Sequence, residues 1–133
     1  MIVLDTDVIS DLMRPRPSRS LLARLAEVPA HEQSTTAITI GELAYGAERV
    51  ARPELYRRAM RLLADARVLP FDERAAERYG HIRAVLERDG TRLADPDLRI
   101  AATALAHEAS LVTGNTKHFE RVEGLTVHNW LRA

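Results

Sequence analysis

Met1-Ile2-Val3-Leu4-Asp5-Thr6-Asp7 opens the chain, and the change of character at its fifth residue decides the fold. Ile2, Val3 and Leu4 form a continuous apolar run, the pattern of a strand covered on both faces. The run stops at two carboxylates and a hydroxyl. A buried strand that delivers acids at its C-terminal end places them where open parallel α/β sheets hold their ligands.

Outward from this stretch, strand-like and helix-like segments alternate. Thr6 can cap a short helix through Val8, Ile9, Leu12 and Met13, stopped by Arg14-Pro15-Arg16-Pro17. Ser18 starts a helix carrying Leu21, Leu22, Leu25 and Val28 on one face, with Pro29 beyond its end. Residues 34–39 read as a second strand, 39–50 as a helix, 53–66 as another, and Val68-Leu69 as a brief strand. Asp72 opens a long helix that Gly90 terminates. Residues 94–109 read as a helix with small or apolar residues on most sides. Residues 110–113 read as a strand, 116–119 as a helical turn, and 125–127 as a last strand, with Trp130 anchoring the chain end. The alternation predicts one α/β domain over residues 1–133, a central parallel β-sheet flanked by α-helices.

Composition excludes several chemistries. The chain has 133 residues and no cysteine, so disulfides, thiolate metal sites and a cysteine nucleophile are absent. No apolar run approaches the roughly 20 residues of a membrane span, and no basic-then-apolar leader is visible, so a cytoplasmic location is expected. Lysine plus arginine and aspartate plus glutamate each number 19, for a formal net charge of zero. That balance argues against broad, nonspecific nucleic-acid affinity.

Four element junctions carry oxygen ligands. The first is Asp5 with Asp7; Asp7 serves equally well as a helix cap. The second is Glu42, where Thr39-Ile40-Gly41-Glu42 also matches a capping box. The third is Asp95-Pro96-Asp97, with Asp95 suited to the cap and Asp97 to the first turn. The fourth is Thr113-Gly114-Asn115-Thr116, followed by Lys117 and His118, which a simple turn would also explain. Together the junctions place Asp5, Glu42, Asp97 and Asn115 along one sheet edge. Carboxylates gathered without basic partners repel one another unless a cation lies between them. Hard oxygen donors select Mg²⁺ or Mn²⁺ over zinc, and such an ion suits phosphodiester hydrolysis.

These motifs resemble those of PIN-domain ribonucleases, specifically the VapC-type toxins of type II toxin–antitoxin pairs. Residues 1–10 resemble the family's first strand and acid, 39–47 its second-acid helix, 97–105 its third-acid helix, and 112–119 with Gly124-Leu125 and Asn129-Trp130 its closing segment. The resemblance implies a Mg²⁺- or Mn²⁺-dependent endoribonuclease with Asp5, Glu42 and Asp97 as catalytic, metal-binding acids and Thr113 in the same pocket. It also implies an RNA substrate, a homodimer, and a cognate antitoxin through which alone the toxin meets DNA; no membrane is involved. Two departures stand out. Relatives often carry a fourth acid near Asn115 or His118, and often have Asn where this chain has Asp7. Arg14, Arg16 and Lys117 are the expected contacts to RNA phosphates.

Three other readings remain at this stage. Asp5-Thr6-Asp7 also fits a haloacid-dehalogenase-type phosphatase, though Lys117 follows the Asp95/Asp97 pair in the wrong order and Glu42 would be idle. A phospho-receiver would need an acceptor aspartate at the end of its third strand, and this chain has none at a plausible position. A catalytically weak PIN domain that only holds its antitoxin is opposed by the three retained acids and kept open by the missing fourth.

Overall fold

The computed structural model describes residues 1–133. The elements run β1 (Ile2–Leu4), α1 (Thr6–Leu12), α2 (Arg19–Ala26), β2 (Gln33–Thr36), α3 (Ala37–Arg49), α4 (Pro53–Leu62), β3 (Arg67–Leu69), α5 (Glu73–Arg88), α6 (Asp95–Ala106), β4 (Ser110–Val112), α7 (Thr116–Phe119) and β5 (Val127–His128), with one 3₁₀ turn at Ala30–Glu32. The five strands form one sheet in the order β3-β2-β1-β4-β5. Every pairing in it is parallel.

Each strand is too short to be stable alone, so the sheet exists because both faces are covered. Alternation along β1 and β4 divides the core. Val3 and Leu111 face one layer, with Ile82, Leu86, Leu98, Ile100 and Phe119 from the helices beyond. Leu4 and Val112 face the other, with Val8, Ile9, Leu21, Leu63 and Trp130. Trp130 is the anchor expected at the chain end. Helix α6 is buried on nearly every side, through Leu98, Ile100, Ala101, Ala102, Thr103, Ala104 and Ala106. Its alanines let it lie close to the sheet while α5 runs along its outer face.

The strand order has a functional consequence. From β1 the chain moves outward through β2 and β3, then returns to place β4 on β1's other side. The order therefore reverses between β1 and β4, the crevice in which open α/β sheets bind their ligands.

Local differences from the sequence reading have simple causes. Asp5, not Thr6, caps α1, because its carboxylate accepts the Thr6 N–H at 2.8 Å. Helix α3 starts earlier than expected: Thr36 is its cap and accepts the Thr39 N–H at 3.1 Å. Thr39 is buried inside the helix, so the apparent capping box at Thr39–Glu42 does not form. The cap of α6 is Ala94, which has no side-chain acceptor, and Asp95 is already helical. Helix α4 ends at Leu62 and α6 at Ala106, both short of expectation, and the last strand lies at Val127–His128.

Candidate active site

Asp5 follows β1 directly, and its N–H continues the ladder by donating to the Val112 carbonyl at 3.0 Å. This fixes the side chain at the β1/β4 crevice, where it is only 4% exposed. One oxygen accepts the Thr6 N–H; the other accepts the Thr113 hydroxyl at 2.7 Å. Thr113, itself buried, continues from β4, so this bond spans the reversal point. The Thr113 hydroxyl oxygen also accepts the Asn115 N–H at 3.1 Å.

Asp7 lies in the first turn of α1. Its Oδ2 accepts the Gly114 N–H at 2.8 Å, while its Oδ1 is buried with no hydrogen-bond partner. Only glycine permits that approach. A Cβ at position 114 would come within 2.6 Å of Asp7 Oδ2 and 2.9 Å of Leu131. Glu42 projects from the second turn of α3, and its Oε1 accepts the Thr6 hydroxyl at 2.6 Å. Freed of a capping role, it turns toward the edge that Asp5 occupies. Asp97 sits half-buried in the first turn of α6.

The electrostatics join these acids. Burial lifts the Asp5 carboxyl to about 6, with the neighbouring charges of Asp7 and Asp97 adding to the rise against the hydrogen bonds from Thr113 and Thr6. Asp7 is raised chiefly by burial, against the Gly114 N–H. Asp97 is raised by burial and then by Glu42 and Asp7, with His118 opposing. No arginine or lysine offsets them: the ion pairs are Arg14–Asp11, Arg52–Glu54, Arg83–Glu87 and Arg99–Asp95, all elsewhere.

The donor set fits a hard divalent cation. It is all oxygen and negatively charged, and Asp7 Oδ1 is a buried carboxylate oxygen with nothing to bind. No three His, Asp or Glu side chains are drawn in tightly enough to hold an ion as they stand. The acids form a shared negative wall rather than a closed cage.

The structure thus brings together Asp5, Asp7, Glu42, Asp97 and Thr113, with the Asn115 backbone beneath them. Two of the three expected phosphate contacts are not part of this group. Arg14 and Arg16 follow the end of α1 remote from Asp5, and Arg14 is engaged by Asp11 at 2.9 Å. The sequence suggests only a cap at Thr6; its hold on Glu42, 36 positions away, leaves no local signal in the chain.

Comparison with known proteins agrees with this fold. The PIN domain model matches residues 2–125. Toxin FitB of Neisseria gonorrhoeae is 33% identical, with 98% of this chain and 99% of that protein covered. Ribonuclease VapC2 of Haemophilus influenzae is 32% identical, with 97% of each covered. The solved structure of VapBC-1 from nontypeable Haemophilus influenzae superposes with a TM-score of 0.87 at 32% identity, covering 98% of both chains. A phosphatase or receiver assignment is thereby set aside. The chain belongs to the PIN-domain family, with VapC-type toxins as its relatives over nearly its whole length.

Proposed function

We propose that the chain is a Mg²⁺- or Mn²⁺-dependent endoribonuclease, the toxin of a toxin–antitoxin pair. The observation that carries this is the acid wall at the β1/β4 crevice, free of any ion pair with lysine or arginine and including the orphaned Asp7 Oδ1. Relatives named ribonuclease and toxin, and a neighbour solved as a VapBC complex, support the RNA substrate and the protein partner.

Asp5, Glu42 and Asp97 would hold the ion, with Asp7 beside them. When bound, such an ion acts as a Lewis acid on a phosphate oxygen and makes a water more acidic. The chain's own contribution is orientation. Thr113 and the Thr6 N–H fix both Asp5 oxygens, and the Thr6 hydroxyl fixes Glu42. Fixed outer partners of this sort typically matter about 10–100-fold in metal affinity or activity. Burial of Asp5 and packing of α6 exclude bulk water from one side of the crevice.

The active form is a homodimer, held inactive by its cognate antitoxin in a cytoplasmic complex that meets DNA only through the antitoxin. No helix is long and apolar enough to cross a membrane.

The test is cleavage of total bacterial RNA by antitoxin-free protein in Mg²⁺, Mn²⁺ or EDTA, with Asp97→Asn in parallel. Discrete fragments that need the metal and vanish in the variant are expected. A folded protein that binds antitoxin yet cuts nothing in either metal would leave the binding-only alternative. The absence of an acid at Asn115 and His118 is what favours that second reading.

A further inference from the structure

Beside the acid wall lies a cleft of different chemistry. It has a volume of about 320 Å³, and no apolar residue and no carboxylate lines it. Lys117 and Arg132 supply two cations; Asn115, Thr116, His118 and Asn129 supply neutral polar groups. Lys117 is the chain's only lysine, and both cations are exposed and free of ion pairs.

The cleft is continuous with the acids. Gly114 lines it and donates its N–H to Asp7; Asn115 lines it and donates its N–H to Thr113, which holds Asp5. His118 lines it and lies close enough to Asp97 to ease that acid's ionisation. One segment, the turn after β4 and the start of α7 (residues 113–118), therefore floors the cleft and braces the acid wall.

We propose that this cleft binds the RNA phosphodiester neighbouring the one that reaches the carboxylates. The proposal rests on the ribonuclease assignment above and extends it to a substrate subsite. A polyanion approaching four acids is repelled, and a cation between the acids offsets only the phosphate it touches. The flanking phosphate needs positive charge supplied locally, because the chain as a whole is neutral. Arg14 and Arg16 lie at the far end of α1, whereas Lys117 and Arg132 lie beside the acids. Lysine, arginine, amide and hydroxyl donors are the groups that position nucleic-acid backbones without reading sequence. The cleft should therefore contribute affinity and register, leaving base preference to other surfaces.

The probe is a short fluorescein-labelled single-stranded RNA, titrated in EDTA and followed by fluorescence anisotropy over a range of salt. The Lys117→Ala/Arg132→Ala protein should bind at least about tenfold more weakly at low salt, and the slope of log affinity on log salt should shrink by about one to two. Its melting temperature should match wild type. Lys117→Glu, one exposed substitution, provides a second test should the double variant fold poorly. Arg16→Ala should bind like wild type. Unchanged affinity and slope in both cleft variants, or an equal loss in Arg16→Ala, would overturn the proposal. So would displacement of the RNA by a polyglutamate peptide at comparable concentration, which would make the cleft a docking site for an acidic protein segment. The two levels separate cleanly. Wild-type protein that binds RNA through the cleft but cuts none in Mg²⁺ or Mn²⁺ defeats the nuclease assignment alone. Wild-type protein that cuts RNA while the cleft variants bind it normally defeats the subsite alone.

Discussion

Asp95 and Asp97 stand two residues apart on the same turn of α6 and have opposite fates. Asp95 is exposed, and both its oxygens are taken: one by the Tyr79 hydroxyl, the other by Arg99 Nε at 2.6 Å. Those partners hold its carboxyl below the usual range. The Arg99 guanidinium in turn lies over the Phe71 and Tyr79 rings, 5.2 and 5.0 Å from their centroids. Asp97 is half-buried, makes no ion pair, and is raised by burial and by Glu42, with His118 alone opposing. One carboxylate is spent tying α6 to α5; the other is left uncompensated at the crevice. Negative charge in a helix's first turn is favourable in both cases, so position alone does not make a ligand. Pairing decides.

The largest expected effect breaks this comparison directly. Asp97→Asn should lower RNA cleavage at least about a hundredfold, since losing a charged ligand removes several kcal/mol of metal-assisted stabilisation. Asp95→Asn should leave the rate within about threefold, as expected of a surface pair. Initial rates on a labelled RNA in Mn²⁺ decide it. Equal losses in the two variants would mean that α6 geometry, not ligand charge, limits the reaction.

Asp5→Asn should separate stability from activity. The Asp5 carboxyl moves from an ordinary value of 3.8 to about 6 in the fold. The native state thus holds a proton that the unfolded chain has already released between those values. The group's contribution to stability is full below about pH 4, declines as pH rises toward 6, and stays lost above. In EDTA at pH 8, Asp5→Asn should therefore be more stable than wild type by about 1–2 kcal/mol, with the difference vanishing near pH 4. With Mg²⁺ the order should invert, because only wild type gains binding energy from the ion; at a hundred times Kd that gain is about 2.7 kcal/mol. Urea midpoints across pH, with and without metal, measure both halves. A variant less stable than wild type at pH 8 in EDTA would show that the hydrogen bonds from Thr113 and Thr6 outweigh the cost of burying the charge.

How much of this was legible in the chain differs from acid to acid. Asp5 was, because three apolar residues ending in a carboxylate leave few structural alternatives. Glu42 was obscured by a false capping box: Thr36 and Thr39 are both threonines, and only the register of β2 against its neighbours makes Thr36 the cap. Asp97 stood above Asp95 because Asp95 suited the cap; what actually occupies Asp95 was hidden, because Tyr79 comes from a different helix. The parallel sheet and its covering helices followed from the alternation of elements. The strand order did not, since strands of three residues carry no pairing code. That order explains why Thr113, 108 residues from Asp5, shares its pocket.

A smaller effect sharpens the contrast at Glu42. Thr6→Val keeps the β-branched shape and removes the hydroxyl that holds Oε1. Mg²⁺ affinity, read by calorimetry, and cleavage rate should both fall about tenfold. Thr6→Ser should restore most of each, because the donor returns. Loss in the valine variant without recovery in the serine variant would trace the effect to packing of α1.

The smallest effect tests the tied side of the α6 turn. Tyr79→Phe removes the hydroxyl that donates to Asp95 and accepts from Arg83 at 2.9 Å, but leaves the ring that packs edge-on against Phe71 and under Arg99. Arg99 still holds the other Asp95 oxygen, so the α5–α6 tie should survive on the ion pair and the stacked guanidinium. Exposed hydrogen bonds of this kind contribute little. Thermal stability should fall only slightly and the RNA cleavage rate should stay within about twofold. A tenfold loss of cleavage with unchanged melting temperature would carry a different lesson: the Tyr79–Asp95–Arg99 network would be setting the angle at which Asp97 meets the crevice. The spent carboxylate would then be a positioning partner of the free one, and the division between the two aspartates would be one of distance from the metal rather than of role.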